Sequence, residues 1–235
     1  MKYKRILLKL SGEFLAGENN NPISFKKLKE YAEEIKKIYD KGIEIAIVMG
    51  GGNIIRGEKA ESYDRITADR MGMLATIINS IALGSIFKSL KIKAKVYSAI
   101  KAQNFIEEYN SLDVIKELEN KTICILAGGT GNPFFTTDTA AALRTVELKA
   151  EIFLKGTKVD GIFDSDPKVN TSAKFFKKIT YDEAIKRNLK VMDLTAFSFC
   201  KTYKIPIIVF NMNKKNALLD IIEGKEIGTF VCNDL

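Results

Sequence analysis

A three-layer αβα sandwich with a mostly parallel central sheet is the fold class this sequence predicts. Two observations carry it. Short apolar runs alternate with amphipathic segments of helical length along the chain, and such alternation gives a parallel sheet covered by helices on both faces. In addition, three of the apolar runs end in small residues that open a loop or helix, at Ser11-Gly12, Gly50-Gly51-Gly52 and Gly128-Gly129-Thr130-Gly131. Ligands of open α/β sheets bind at such carboxyl ends. The 235 residues, 46% hydrophobic and 28% charged, suffice for one large domain with a core and are too apolar for a disordered chain. A single domain over residues 1–235 is expected, its two halves forming lobes on one sheet.

The elements follow in order. Residues 6–10 form a strand. Ser24 caps a helix whose apolar positions Phe25, Leu28, Tyr31, Ile35 and Ile38 recur at helical spacing, and Gly42 stops it. Residues 43–49 are a strand running into the three glycines. A long helix covers about 68–88, a strand 92–97, a short helix 112–119 and a buried strand 122–126. An alanine-rich helix covers 137–149 and a strand 152–154, followed by a polar loop. Residues 174–179 read as a strand of a hairpin. Thr180-Tyr181-Asp182-Glu183 is a capping box opening a helix. A strand at 206–210, a helix at 214–223 closed by Gly224 and a strand at 228–232 complete the reading.

Composition excludes several chemistries. With 0 histidines there is no His general base, Ser-His-Asp triad, His-ligated zinc or proximal haem ligand. The formal charge of +8 favours anionic partners, although most lysines are scattered over helix faces. No basic stretch interleaved with aromatics points to nucleic acid. Cys124, Cys200 and Cys232 are far apart and odd in number, as expected for buried thiols in a reducing cytosol rather than a disulfide framework or zinc site. Neither a signal peptide nor a run of the ~18 apolar residues of a membrane span is expected.

The glycine-rich strand ends suit a phosphate, since glycines let backbone N–H groups approach an anion. The common nucleotide motifs do not fit. Residues 52–59 have P-loop glycine spacing, but Glu58 stands where the lysine belongs, and residues 129–134 end in Phe134 where a dinucleotide motif needs glycine. Phosphoryl transfer needs fixed cations around the migrating group. Lys9 is the charge inside the first strand, and Lys155 repeats that position after residues 152–154, so the two could grip one phosphoryl group. Asp138 could orient both lysines or face a magnesium ion, Arg56 could clamp phosphate, and Asp69 could accept a ribose hydroxyl. Taken singly, Lys9 also reads as an edge-strand lysine reaching solvent, Asp138 as a helix N-terminal carboxylate, and Arg56 and Asp69 as surface charges.

Longer segments carry a resemblance. Residues 4–13, Gly50-Gly51-Gly52-Asn53, Met71-Gly72-Met73-Leu74-Ala75-Thr76, Thr130-Gly131-Asn132-Pro133-Phe134-Phe135-Thr136-Thr137-Asp138, residues 157–161, residues 190–196 and residues 209–213 resemble those of the bacterial uridylate kinases of the amino-acid-kinase superfamily. The resemblance covers nearly the whole chain, and the Thr130 to Asp138 run is its most diagnostic part. It implies the carbamate-kinase-like αβα fold, with an acceptor-side lobe at about 1–150 and an ATP-side lobe at about 151–235. It implies direct transfer of the ATP γ-phosphoryl group to UMP with Mg²⁺, reversible and without a phospho-enzyme, in pyrimidine nucleotide biosynthesis. Lys9, Asp138 and Lys155 would be catalytic. Lys9, Leu10, Ser11, Gly12, Gly52, Arg56, Thr157, Phe163 and Asp166 would contact ATP or the transferred phosphate. Gly51, Asp69, Thr130, Gly131, Asn132, Pro133, Phe134, Phe135, Thr136 and Thr137 would hold UMP. Magnesium would be bound through the ATP phosphates, with no direct protein ligand.

The resemblance also implies a cytoplasmic homohexamer, with the 68–88 helix as a contact surface, and UTP as a feedback inhibitor. Family members use an arginine and a histidine on that helix for GTP activation. The corresponding positions here read Gly84 and Lys88, so GTP activation is not carried over. Residues 16–22 also depart from the family's glycine-bearing segment. Two rivals remain at this point: a kinase of carbamate, glutamate or aspartate, and a non-catalytic nucleotide-binding protein on the same fold. The Thr130 to Asp138 run argues against the first, and Lys9, Asp138 and Lys155 together against the second. Loss of either lysine is expected to lower kcat by about 10²–10³-fold. Stability is expected to change little, on the view that both tips are at the surface.

Overall fold

Strand β1 (Arg5–Leu10) organises the molecule, because its run of apolar residues is buried on both faces and recruits a parallel neighbour on each side. The computed structural model describes residues 1–17, 21–55, 63–167, 169–189 and 191–234. Its other strands are β2 (Glu44–Met49), β3 (Ala94–Ser98), β4 (Glu107–Glu108), β5 (Ile123–Ala127), β6 (Ile152–Thr157), β7 (Ile162–Phe163), β8 (Phe175–Phe176), β9 (Lys178–Thr180), β10 (Ile207–Asn211) and β11 (Thr229–Cys232). The helices are α1 (Phe25–Tyr39), α2 (Arg65–Ser89), α3 (Ser111–Glu119), α4 (Thr137–Glu147), α5 (Tyr181–Lys186), α6 (Leu194–Thr202) and α7 (Ala217–Ile222).

Nine strands form one sheet in the order β4-β3-β5-β2-β1-β6-β10-β11-β9. Every pairing in it is parallel except β10 with β11. Side-chain alternation along the strands divides the core in two. On one face Ile6, Leu8 and Leu10 pack beneath α1, α2 and α7. On the other, Leu7, Val48 and Phe153 pack beneath α3, α4, α5 and α6. The three layers are those the sequence predicts.

Several elements differ in extent. Helix α2 begins earlier than residue 68, because the Asp64 carboxylate accepts the Thr67 N–H at 3.0 Å and caps it. By length and composition α2 could cross a bilayer, contrary to the expectation that no run is long enough. It packs instead against α1, β3 and β5, with Leu83 and Phe87 fully buried. The run 174–179 is not one hairpin strand: β8 pairs antiparallel with β7, while β9 joins the edge of the main sheet beside β11. The helix expected over 214–223 shortens to α7, because Asn216 adopts a left-handed φ of 64° immediately before it. Strand β6 continues beyond residue 154 to Thr157, which places Lys155 inside the sheet.

Candidate active site

Period-two alternation puts Lys9 on the same sheet face as Leu7, and Lys155 on the same face as Phe153. The β1–β6 register sets Lys9 directly beside Lys155. Helix α4 starts over this pair. The Thr136 hydroxyl accepts the N–H groups of Asp138 at 3.0 Å and Thr139 at 3.3 Å, and so fixes the first turn. Asp138 then reaches both cations: Oδ1 lies 2.9 Å from Lys9 Nζ, and Oδ2 lies 2.5 Å from Lys155 Nζ. The Lys155 ammonium also donates to the Val191 carbonyl. Lys9 and Lys155 are 8% and 6% exposed, so the expectation of surface tips is corrected: both are buried cations sharing one carboxylate.

That arrangement shapes the acidities. Burial pushes the Asp138 carboxyl up, but Lys9 and Lys155 outweigh it and hold the pKa at about 2. Burial pulls the Lys155 ammonium below its ordinary value, Lys9 pulls it the same way, and Asp138 only partly restores it. Two ammonium groups share the Asp138 carboxylate, with Asp193 also acting on Lys155, where little water can screen them.

Two cavities flank β1 at the carboxyl end of the sheet. The first, of about 340 Å³, is lined by Gly51 and Gly52 after β2, Gly129 and Thr130 after β5, and Asp69 and Thr76 of α2. The second, of about 520 Å³, is lined by Thr157 at the end of β6, Phe163 of β7, Asp166 in the following loop, and Leu189 and Val191. In the sheet β1, which carries Lys9, lies between β2, whose loop lines the first cavity, and β6, whose end lines the second, while Lys9, Asp138 and Lys155 themselves are in neither lining. Among the described residues the Gly51 and Gly52 N–H groups have no acceptor, which leaves two donors for an anion. Close approach requires glycine here: a Cβ on Gly51 would lie 2.7 Å from the Gly72 carbonyl.

The sequence-predicted residues separate into those that line a cavity and those that shape it. Gly51, Asp69, Thr130, Asn132, Phe135 and Thr137 line the first cavity, and Thr157, Phe163 and Asp166 the second. Gly52, expected with the ATP contacts, lines the first cavity, because β2 lies on the far side of β1 from β6. Leu10 turns its side chain into the core at 1% exposure, so only its backbone is left for a nucleotide. Ser11 caps the turn that follows, accepting the Glu13 N–H, and Gly12 packs against the Gly50–Gly52 loop. Gly131, at φ 84°, closes the turn against Ala99. Pro133 and Phe134 do not line the first cavity; the Phe134 N–H donates to Asp69 Oδ2 at 2.8 Å while its ring is exposed. Thr136 serves as the cap of α4 and donates to Asp193. Arg56 lies outside the described residues.

Sequence reasoning missed Asp193, Val191 and Thr76. Asp193 accepts from Thr139 Oγ1 at 3.0 Å and from the Ala196 N–H at 2.8 Å, tying α4 to α6. An Asp before the apolar segment of α6 was a readable capping signal. Thr76, the last residue of the Met71–Thr76 segment, holds the Gly128 N–H at 2.8 Å from within α2, a role the segment's resemblance does not assign.

Comparison with known proteins adds the following. Residues 4–211 match the model of the amino acid kinase family. The chain is 51% identical over 234 residues to a uridylate kinase of Bacteroides thetaiotaomicron, covering 99% of both chains. The structure of a UMP kinase from Bacillus anthracis superposes with a TM-score of 0.97 at 39% identity, covering 100% of this chain and 98% of that one. The structure of a UMP kinase from Ureaplasma parvum superposes at 0.93 and 42% identity, covering 99% and 100%.

Proposed function

The chain belongs to the amino acid kinase family, and on that basis we propose that it transfers the γ-phosphoryl group of ATP to UMP, giving ADP and UDP. It is a nucleoside monophosphate kinase, a phosphotransferase. The single observation that carries the chemistry is the buried Lys9–Asp138–Lys155 cluster on α4 and on β1 and β6, the strands that separate the two cavities' lining loops. UMP takes the first cavity and ATP the second. Asp69 faces the ribose and Thr130 the uridine. The Gly51 and Gly52 N–H groups, without an acceptor among the described residues, donate to phosphate oxygens, and the two ammonium groups neutralise the migrating PO₃ group. Asp138 stays ionised near neutral pH and orients both lysines, so it serves as neither base nor nucleophile. None is required, because a phosphate monoester's second pKa is about 6 and UMP's own oxygen is already anionic at pH 7.

Magnesium would accompany ATP in this reading, held by the nucleotide's phosphates rather than by side chains, and would supply neutralisation of their charge. The donor set fits an ion held by phosphate oxygens: both Asp138 oxygens face lysines, and no group of three metal-binding side chains occurs among the described residues. UTP, which shares the uridine, would compete at the first cavity. GTP is not expected as an effector. We place the enzyme in the cytoplasm, in pyrimidine nucleotide biosynthesis, as a homohexamer. Support for assembly comes from Leu74, Ile78 and Ile81 of α2, apolar and 53%, 48% and 42% exposed.

A transfer assay with UMP, CMP, glutamate and carbamate as acceptors tests the reading. Turnover with UMP in preference to the others is expected. Turnover with an amino-acid acceptor alone would remove it, and none with any acceptor would return the chain to a nucleotide-binding role. Neither rival is favoured by the named relatives.

A further inference from the structure

Asn79 lies in the middle of α2 with 0% exposure, and its amide is fully used. Nδ2 donates to the Gly50 carbonyl at 2.7 Å and to Asn53 Oδ1 at 2.7 Å. Its Oδ1 accepts from Asn53 Nδ2 at 3.0 Å, closing a reciprocal amide pair, and Asn53 Nδ2 also donates to the Pro22 carbonyl at 2.8 Å. Chemistry fixes the orientation of Asn79, since the flipped amide would set an oxygen against the Gly50 oxygen. Asn53 in turn abuts Gly12, where a Cβ would lie 2.4 Å from Asn53 Oδ1. One side chain of α2 therefore holds the glycine loop after β2 directly and the turn after β1 through Asn53.

The consequence lies in peptide geometry. The carbonyl of residue 50 and the N–H of residue 51 share one planar trans unit and point in opposite directions. Anchoring the Gly50 oxygen toward α2 turns the Gly51 N–H away from α2's interior. Gly51 lines the first cavity, and its N–H has no acceptor among the described residues. A run of glycines has wide conformational freedom and no side chain to anchor it. We propose that Asn79 is a positioning residue for phosphoryl transfer: it presets the Gly50–Gly51 peptide so that the Gly51 N–H meets the phosphate of the acceptor. The proposal rests on the reading that the first cavity takes UMP.

The test uses Asn79→Asp, which keeps the shape and replaces the donor with an oxygen facing the Gly50 carbonyl, and Asn79→Ala, which removes the donor without adding charge. Asn53→Ala breaks the amide pair but spares the Gly50 bond. For either Asn79 variant, kcat with UMP is expected to fall about 10²-fold, as for loss of one preorganised donor, with KM for ATP nearly unchanged. Equilibrium binding is the second readout: affinity for UMP falls while affinity for uridine, which has no phosphate, is retained. Asn53→Ala is expected to lose much less. Melting temperatures ensure that every comparison is made on folded protein. A folded Asn79 variant with unaltered kcat and an unaltered UMP-to-uridine affinity ratio would overturn the proposal, as would equal losses for UMP, uridine and ATP. A wild-type chain that phosphorylates no acceptor would count against the UMP kinase reading instead, and the affinity ratio would then decide the role of Asn79 by itself.

Discussion

At the scale of single residues, the Lys9–Asp138–Lys155 cluster separates stability from activity. The carboxylate is held at a pKa of about 2, so its surroundings favour its charge, whereas those of Lys155 disfavour its ammonium. Asp138→Asn leaves two buried ammonium groups without a counter-charge, and a loss of about 3–5 kcal/mol is expected in denaturant unfolding. Lys155→Met removes the disfavoured charge and leaves Asp138 paired with Lys9. Unfolding stability should then be kept or raised while kcat falls by about 10²–10³-fold. A Lys155→Met protein as unstable as Asp138→Asn would contradict this account. The same acidities give a pH dependence. Asp138's contribution, on the order of 2 kcal/mol, is present above pH ~4 and is lost as pH falls through about 2, because the folded value lies below the unfolded one. Lys155 sheds its proton below the ordinary lysine value of 10.5 in the unliganded protein, so the alkaline limb of kcat/KM should begin below that value. Lys155→Arg, which does not deprotonate, should move the limb upward. A limb that stays in place would assign it to another group.

At the scale of elements, what the sequence makes legible depends on length and on who supplies the partner. Strands β1, β2 and β5 are readable because apolar runs buried on both faces need no knowledge of their neighbours, and Lys9 stands out because a charge in such a run requires a reason. Strands β4, β7 and β8, of two residues each, are too short to show a period. The role of Asn79 is hidden because a polar residue in an apolar helix does not say which loop it will meet. Val191 enters through its carbonyl, which is the same for any residue type. The β7–β8 hairpin illustrates the point further. Its anchor is the Thr229 hydroxyl of β11, which accepts the Ile162 N–H at 2.8 Å and donates to the Phe176 carbonyl. The Phe163 and Phe175 rings meet across the hairpin tilted by 60°, with centroids 5.3 Å apart, and Phe163 lines the second cavity. Thr229→Val keeps the shape but removes both bonds. It is expected to raise KM for ATP several-fold while leaving KM for UMP unchanged, since the first cavity lies across β1. Initial rates with each substrate varied in turn decide this, and a change confined to UMP would refute it.

At the scale of the whole molecule, α2 presents two faces with different tasks. Thr76 and Asn79 face inward on the glycine loops, and Leu74, Ile78 and Ile81 face outward. For the proposed homohexamer, substituting Ile78 by Glu is expected to shift the population toward smaller species in native mass spectrometry, with the fold retained by circular dichroism. An unchanged mass would place the contact elsewhere. The unequal cluster of two ammonium groups and one carboxylate has a last consequence. Among the described residues the two ammonium groups share Asp138, with Asp193 also acting on Lys155, and a phosphate-bearing guest would add negative charge beside them. Nucleotides should therefore raise the melting temperature more the tighter their anionic oxygens make them bind near β1, so that UMP protects the enzyme far more than uridine at equal concentration. Catalytic readiness and thermal fragility would then have one origin, and the unliganded chain would be the least robust form of this enzyme.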